Sequence, residues 1–244
     1  MTLRLNADVG ELPARVHASD DNACGEAALI AILDDANVAC GGHAGDTETM
    51  RTTLLRCRRA GVRVIAHPSY PDRAGFGRAR LTMPPAELTQ SLVEQVRALA
   101  DVAREVGVVV SAIKPHGALY HAIGSDAGVA DAAADVVMAL ERDLGARLPL
   151  VLFHQATMAE RVRARGVTVW REVFADRGTD ASGELLPRDK PGAVLDADAA
   201  AAQARRLIDD VARGALAADT VCVHGDGPHA TAIARAVRGA LASA

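Results

Sequence analysis

The sequence is poor in aromatic residues, with one Trp, two Tyr and three Phe among 244 residues. So few rings argue against a protein that stacks nucleic-acid bases on aromatic platforms. No run of basic residues disturbs the balance of 27 Lys and Arg against 31 Asp and Glu. We therefore expect neither a nucleic acid nor a membrane surface as a partner.

Long apolar runs and paired cysteine motifs are also missing. No stretch approaches the roughly 18 apolar residues that span a bilayer, and the first residues turn polar too early for a signal peptide. The four cysteines, Cys24, Cys40, Cys57 and Cys222, lack the C-x-x-C spacing of a zinc knuckle. We expect reduced, mostly buried thiols in a cytoplasmic protein.

Short β-branched runs alternate with longer Ala-rich segments along the whole chain, without a break in composition. The pattern predicts one domain over 1–244, with about 35 residues per strand–helix unit. Segment 178–195 is predicted to be a long loop. The predicted strands are expected to be apolar on both faces, as in parallel sheets. They lie at 3–8, 37–40, 63–67, 110–114, 150–154, 168–174 and 220–224. The predicted helices lie near 25–35, 47–60, 85–106, 126–142, 156–165, 197–213 and 229–242.

Ionisable side chains follow six of these seven predicted strands. In a parallel barrel or an open parallel sheet, all strand carboxyl ends lie on one rim, where such folds place their sites. We therefore expect residues that are distant in sequence to share one pocket. The candidate catalytic side chains are Asp8, Glu11, His43, His67, Lys114, His116, Glu172 and His224.

Other residues near the predicted rim are candidate contacts to substrate or phosphate. Some have an equally good structural explanation, because Asp46 opens a helix that it can cap, and the two arginines can pair with the neighbouring aspartates. These candidates are Asn6, Gly41, Gly42, Asp46, Asp72, Arg73, Asp176, Arg177, Gly225 and Asp226.

Several sequence blocks, spread over nearly the whole chain, share a pattern with one known family. The blocks are 5–11, 36–41, 43–46, 66–73, 75–78, 114–120, 171–177 and 221–226, followed by His229 and Ala230. On these blocks the chain resembles the LamB/YcsF family. It departs from the family pattern at Gly42, where Phe is usual, and at His121, where Asn is usual. Both positions lie near the predicted rim, so these departures concern the size of the substrate that the site accepts.

The resemblance implies a distorted seven-stranded parallel (β/α) barrel related to glycoside hydrolase and deacetylase barrels. It also implies the A subunit of an ATP-dependent 5-oxoprolinase, which opens the lactam of 5-oxo-L-proline to L-glutamate with release of ADP and phosphate. Subunits B and C would be its partners, and a homo-oligomer is a further arrangement that the sequence leaves open.

Candidate roles follow from this chemistry. Asp8 or Glu11 would activate water, a histidine would protonate the leaving nitrogen, and Lys114, Arg73 or the Gly-rich turns would stabilise phosphate charge. Carboxylate and imidazole at successive strand ends also suit a divalent metal ion. The expected metal ligands are Asp8, His43 and His116, with His67 as a fourth.

Two other functions remain open from the sequence. A stand-alone metal-dependent amide hydrolase or deacetylase would act without ATP and would be sensitive to chelators. A non-catalytic subunit would only present a small acid to its partner proteins.

Overall fold

The computed structural model describes residues 3–12, 25–225, 227 and 229–243, and its centre is a closed barrel of seven parallel strands. Each strand pairs with the next one in sequence, and β1 closes on β7 with Arg4 opposite Thr220. Closure confirms the barrel that the family resemblance implied and excludes an open sheet. The strands are β1 (Arg4–Val9), β2 (Asp35–Ala39), β3 (Arg63–His67), β4 (Val110–Ile113), β5 (Leu150–Phe153), β6 (Val169–Phe174) and β7 (Thr220–Val223).

Helices connect the strands in the order expected of repeated strand–helix units. Within the described ranges they are α1 (Glu26–Ile30), α2 (Thr47–Ala60), α3 (Pro85–Glu105), α4 (Gly117–Ser125), α5 (Ala127–Leu144), α6 (Ala159–Ala164), α7 (Ala197–Ala212) and α8 (Ala230–Ala242). Helix α4 was not predicted, because its first residue, Gly117, reads as part of a loop and has a left-handed φ of 56°. None of the helices in the described part combines the length and the apolar character needed to cross a bilayer.

The two faces of the strands differ in polarity. Leu5, Ala7 and Val9 of β1 belong to the apolar core between barrel and helices, because alternate residues of a strand point to opposite faces. Asn6 and Asp8, between them, form hydrogen bonds and ion pairs with side chains of other strands inside the barrel. The prediction that the strands are apolar on both faces is therefore wrong for the part of the inner face that supports the site, near the carboxyl ends of the strands.

The amino end of the barrel is closed by charge pairs and an apolar layer. The buried carboxylate of Asp35 accepts hydrogen bonds from Arg4 and Arg63 at 2.7–3.2 Å. The adjacent apolar layer consists of Ile65, Ala112, Val151 and Trp170. This packing leaves the carboxyl end of the barrel as its open side.

Candidate active site

Lys114, directly after β4, is the centre of a buried polar network. Its Nζ lies 3.0 Å from Glu172 Oε1, Asn6 Oδ1 and Cys222 Sγ, and 3.4 Å from Asp8 Oδ1. Burial disfavours the charged amine, but the attraction of Asp8 in particular outweighs it, so the pKa of Lys114 lies well above its ordinary value. With its pKa raised, Lys114 stays an ammonium group without a lone pair, so it is a fixed cation rather than a base or nucleophile.

Glu172 provides the second countercharge of Lys114. It is fully buried in the barrel and accepts hydrogen bonds from Asn6 Nδ2 at 3.0 Å and from the Tyr120 hydroxyl at 2.9 Å. Burial, and then the charge of Glu172, raises the pKa of Tyr120 well above its ordinary value, which keeps the phenol a donor. Glu172 therefore lies beneath the open cavity and acts on it through Lys114.

Asp8 connects this network to the cavity. Its Oδ1 lies 2.9 Å from Asn37 Nδ2, 3.4 Å from Lys114 Nζ and 3.3 Å from His67 Nε2. Burial opposes ionisation, but His67 and Lys114 overcome it and hold the pKa of Asp8 well below its usual range. All three contacts are made by Oδ1. Oδ2 is therefore the oxygen of the Asp8 carboxylate that can contact a ligand.

A second group of side chains lies beside Asp8, and we call it the Glu/His cluster: Glu11, His43, His67 and His116. Each offers one ligand atom within 4.8 Å of the others. His67 Nε2 lies 3.1 Å from His116 Nδ1, His43 Nε2 lies 3.2 Å from Glu11 Oε1, and Glu11 Oε1 lies 3.7 Å from His116 Nδ1. Two ligands bound tetrahedrally at about 2.1 Å are about 3.4 Å apart, so this spacing fits one divalent ion.

Hydrogen bonds fix two histidines of the cluster in forms that suit metal binding. His67 Nδ1 lies 2.7 Å from the Lys114 carbonyl and His116 Nε2 lies 3.0 Å from the Phe76 carbonyl. A carbonyl only accepts, so these nitrogens carry protons, and His67 Nε2 and His116 Nδ1 are the ring nitrogens that face each other. Burial, and then a neighbouring histidine, lowers the pKa of His43 to about 2 and that of His116 to about 3. These neutral rings and a carboxylate match the needs of a metal ion.

This cluster differs from the predicted metal set of Asp8, His43 and His116, with His67 as a fourth, only in its carboxylate. Glu11 stands in the cluster where Asp8 was expected. Asp8 adjoins it through His67, but its Oδ1 already accepts a hydrogen bond from Asn37. Sequence spacing could not reveal that Glu11 takes the place of Asp8 in the cluster, because Glu11 lies beyond the end of β1.

Phe76 shapes the cluster from the loop that follows β3. It adopts a left-handed φ of 54°, which is unusual for a residue with a bulky side chain, and its carbonyl accepts the His116 hydrogen bond. The His43 and His116 rings stack with centroids 3.7 Å apart, and a Cβ at Gly77 would lie 2.9 Å from His43 Cβ. Our prediction of site residues missed Phe76, although the flanking glycines Gly75 and Gly77 mark an unusual turn.

His224 and Asp176 form a separate pair at the barrel rim, after the neighbouring strands β7 and β6. His224 Nδ1 lies 3.0 Å from Asp176 Oδ2, and the His224 backbone N–H donates to the same oxygen at 2.7 Å. Burial opposes ionisation of Asp176, but His224 outweighs it and lowers the pKa of the carboxyl group. The Phe174 ring stacks on the imidazole with centroids 5.6 Å apart. His224 Nε2 is therefore the ring nitrogen that can serve a ligand.

A cavity of about 280 Å³ opens where these groups meet. The predicted convergence of distant residues at one rim is observed, since six of the candidate residues line this cavity: Asp8, His67, Lys114, His116, Arg177 and His224. A second cavity of about 300 Å³ borders Asp8 and Glu11 and includes Gly225. The larger part of the first cavity wall comes from residues that the sequence did not single out, including Arg78, Tyr120, Phe174 and Arg188.

Two of the candidate glycines are packed against protein. A Cβ at Gly42 would lie 2.3 Å from Gln95 Oε1 and 2.4 Å from Ser69 Oγ, and one at Gly225 would lie 1.9 Å from the Asp8 carbonyl oxygen. These positions need glycine because neighbouring protein atoms approach closely. The close packing around Gly42 thus explains its glycine without a ligand, and the contact of Gly42 with a ligand stays a prediction.

Several other candidates stabilise loops. Asp46 is exposed and caps α2 by accepting a backbone N–H hydrogen bond at 2.8 Å. Arg73 donates to the carbonyls of Gly41 and Gly45 at 2.9 and 2.8 Å, and Asp72 accepts from a backbone N–H at 2.8 Å. Arg73 thus holds the turn that carries Gly41. Asp226, like Cys24 and the segment 13–24, lies outside the described residues.

Comparisons with known proteins agree with this architecture. Residues 3–244 match the LamB/YcsF family. The chain is 41% identical over 252 residues to the 5-oxoprolinase A subunit of Chloroflexus aggregans, covering 100% of this chain and 96% of that protein. It is 41% identical over 251 residues to the protein of the same name from Nocardia farcinica, covering 100% and 97%. The crystal structure of the lactam utilization protein from Thermus thermophilus superposes with a TM-score of 0.82 at 33% identity, covering 100% of this chain and 97% of that one.

Proposed function

The chain belongs to the LamB/YcsF family, and we propose that it is the A subunit of a 5-oxoprolinase. In this role it opens the lactam of 5-oxo-L-proline to L-glutamate with ATP, together with subunits B and C. The observation that carries the proposal is the meeting of Asp8, Lys114 and His224 around one small cavity with His67 and His116 of the Glu/His cluster. A carboxylate that activates water and a proton donor at the ends of the neighbouring strands β1 and β7, beside one cavity, suit hydrolysis of an amide.

The proposed reaction uses two neighbouring groups on the wall of the cavity, Asp8 and His224. Asp8 Oδ2 accepts a proton from water as the water oxygen bonds to the lactam carbonyl carbon. The carbon–nitrogen bond then breaks, and the departing nitrogen takes a proton from His224, whose ring Asp176 orients. Lys114 keeps Asp8 anionic and stabilises negative charge near it. The amide is a poor electrophile, and before this step its oxygen takes the γ-phosphoryl group of ATP with release of ADP. Opening of the ring then leaves an acyl phosphate, which a second water cleaves to glutamate and phosphate.

The Glu/His cluster supports a divalent metal ion as a further component. Glu11, His43, His67 and His116 would hold it, since their spacing and the facing ring nitrogens of His67 and His116 fit one ion. When bound, such an ion supplies Lewis-acid polarisation and makes water more acidic. Asp8 remains the group of this chain that takes the proton.

The test is to supply 5-oxo-L-proline and ATP to the chain with and without subunits B and C, and to measure glutamate and ADP. The proposal predicts equal amounts of glutamate and ADP only in the complete assembly. Absence of glutamate from a correctly assembled complex would contradict it.

The Glu/His cluster also favours one alternative, a metal-dependent amide or acetyl hydrolase that works without ATP. This alternative predicts turnover by the isolated chain that stops when a chelator is added and returns with metal. Turnover that needs ATP and both partner subunits would exclude it.

A further inference from the structure

Asn37 is a fully buried amide on β2, where Asp8 is its register partner on the neighbouring strand β1. Its Nδ2 lies 2.7 Å from Asn6 Oδ1 and 2.9 Å from Asp8 Oδ1. A primary amide has two N–H donors, so these two oxygens account for both of them. Asn37 therefore links the buried network around Lys114 to the carboxylate at the cavity.

The orientation of the Asn37 amide follows from its neighbours. Asn6 presents its oxygen to Asn37, because Lys114 Nζ, which only donates, lies 3.0 Å from the same oxygen. Asn6 Nδ2 is engaged elsewhere, since it donates to Glu172 Oε1 at 3.0 Å. Asp8 Oδ1 is an acceptor too, as part of a carboxylate beside the Lys114 ammonium group. If the Asn37 amide were turned over, its oxygen would face two acceptors and both hydrogen bonds would be lost.

This orientation leaves one polar atom of Asn37 buried without a partner. Its Oδ1 accepts no hydrogen bond from the residues that the structure describes. A buried acceptor without a donor destabilises a fold, and such atoms are rare in native proteins. An asparagine at this position is therefore better explained by its donor to Asp8 than by the stability of the barrel.

The Asn37 N–H makes the shortest of the three contacts to Asp8 Oδ1. Lys114 lies farther away at 3.4 Å, and three other acceptors lie nearer to its Nζ, at 3.0 Å each. Because an ammonium group has three N–H donors, these nearer acceptors occupy them. His67 Nε2, at 3.3 Å, belongs to the Glu/His cluster and also faces His116. Asn37 is thus the neighbour that directs one N–H group specifically at Asp8 Oδ1.

We propose that Asn37 is a positioning residue for Asp8, an assignment that rests on the proposed function. The side-chain torsion that turns an aspartate carboxylate has broad minima, so it needs a partner to fix it. By binding Oδ1, Asn37 limits this rotation and keeps Oδ2 turned to the cavity, where the attacking water loses its proton. Asn37 contacts no reacting atom and acts through Asp8. Its loss therefore lowers the rate of the reaction more than the affinity for the substrate.

The test measures kcat and KM for glutamate formation in the assembly with subunits B and C. We expect N37A and N37L each to lower kcat at least about tenfold, while KM stays within about twofold of the wild-type value. N37L keeps the branched shape of the side chain, so a loss shared by both variants reports the missing donor rather than a cavity. Q90A, which removes an exposed amide from α3, is the control and should match the wild type.

A double variant separates positioning from a structural role. Because Asn37 acts through Asp8, D8N/N37A should be no slower than D8N alone. A residue that only stabilised the barrel would add its own loss to that of D8N. Urea unfolding of N37A and N37L checks that both retain the fold.

Wild-type kcat in N37A and N37L, a loss in KM rather than in kcat, or losses that multiply in D8N/N37A would overturn the positioning role. Failure of both N37A and N37L to fold would show that Asn37 is structural instead. If D8N is slow while the Asn37 variants are not, only the role of Asn37 is wrong. Absence of glutamate from the wild-type assembly would contradict the proposed function, and this assignment with it.

Discussion

His67 Nε2 and His116 Nδ1 face each other at 3.1 Å, while the other nitrogen of each ring is bound to a backbone carbonyl. Two facing lone pairs repel unless a proton or a metal ion lies between them. Loss of a residue that only supports a metal ligand lowers metal affinity by roughly 10- to 100-fold. H116A removes one of the ligands itself, so we predict that it lowers the affinity of the chain for Zn²⁺ by at least this much. Titration of apo-protein with Zn²⁺ measures this.

The matched control for metal binding is H154A, which removes a half-buried histidine outside the Glu/His cluster. It should bind Zn²⁺ like the wild type. Equal affinity of H116A and wild type would show that the cluster holds no metal.

The pairing of Asp176 with His224 predicts a loss of turnover that exceeds any effect on binding. In D176N the His224 ring loses its ionic partner, so kcat in the assembled enzyme should fall by roughly 100-fold or more with little change in KM. Because the two residues act together, D176N/H224A should be no slower than H224A alone. Losses that multiply in the double variant would contradict this coupling.

Removal of Lys114 should destabilise the fold as well as the site. K114M leaves Glu172 and Asp8 buried without their cation, and breaking such a pair costs about 3–5 kcal/mol. The free energy of unfolding in urea measures this cost. Replacing Glu172 as well, in K114M/E172Q, should recover part of it. A cost below about 1 kcal/mol for K114M would show that the network is not tightly coupled.

Two glycine substitutions should have opposite effects on stability. G42A places a Cβ against Gln95 and Ser69 and should destabilise by about 1–3 kcal/mol. G239A lies in α8 with open space around it, and should stabilise by about 0.5–1 kcal/mol because alanine favours the helix. Thermal unfolding of both variants measures this. If G42A were as stable as the wild type, the packing explanation for Gly42 would be wrong.

The positions of the strands were predictable because apolar β-branched runs repeat with the length of a strand–helix unit. The carboxyl-terminal residues of these runs, such as His67 and Lys114, consequently meet at one rim. Barrel closure came only from the family resemblance, since an alternating pattern suits an open sheet equally well.

Contacts between loops were not predictable from the sequence. Glu11 joins His43 only because the turn after β1 lies against the turn after β2, and Arg188 enters the cavity only because Arg177 fixes a long loop. The polar inner face was also missed. Asn37 donates a hydrogen bond to Asn6, and Asn6 donates one to Glu172, in a chain that crosses the barrel and that no local pattern reveals.

Turnover by D8N and D46N in the assembly with subunits B and C tests the central claim most directly. Asp8 presents Oδ2 to the cavity, whereas Asp46 is an exposed helix cap that Asn replaces well. The account predicts that D8N forms glutamate from 5-oxo-L-proline and ATP at least about 100-fold more slowly, while D46N matches the wild type. Full turnover by a correctly folded D8N enzyme would contradict the assignment of Asp8 to the reacting centre.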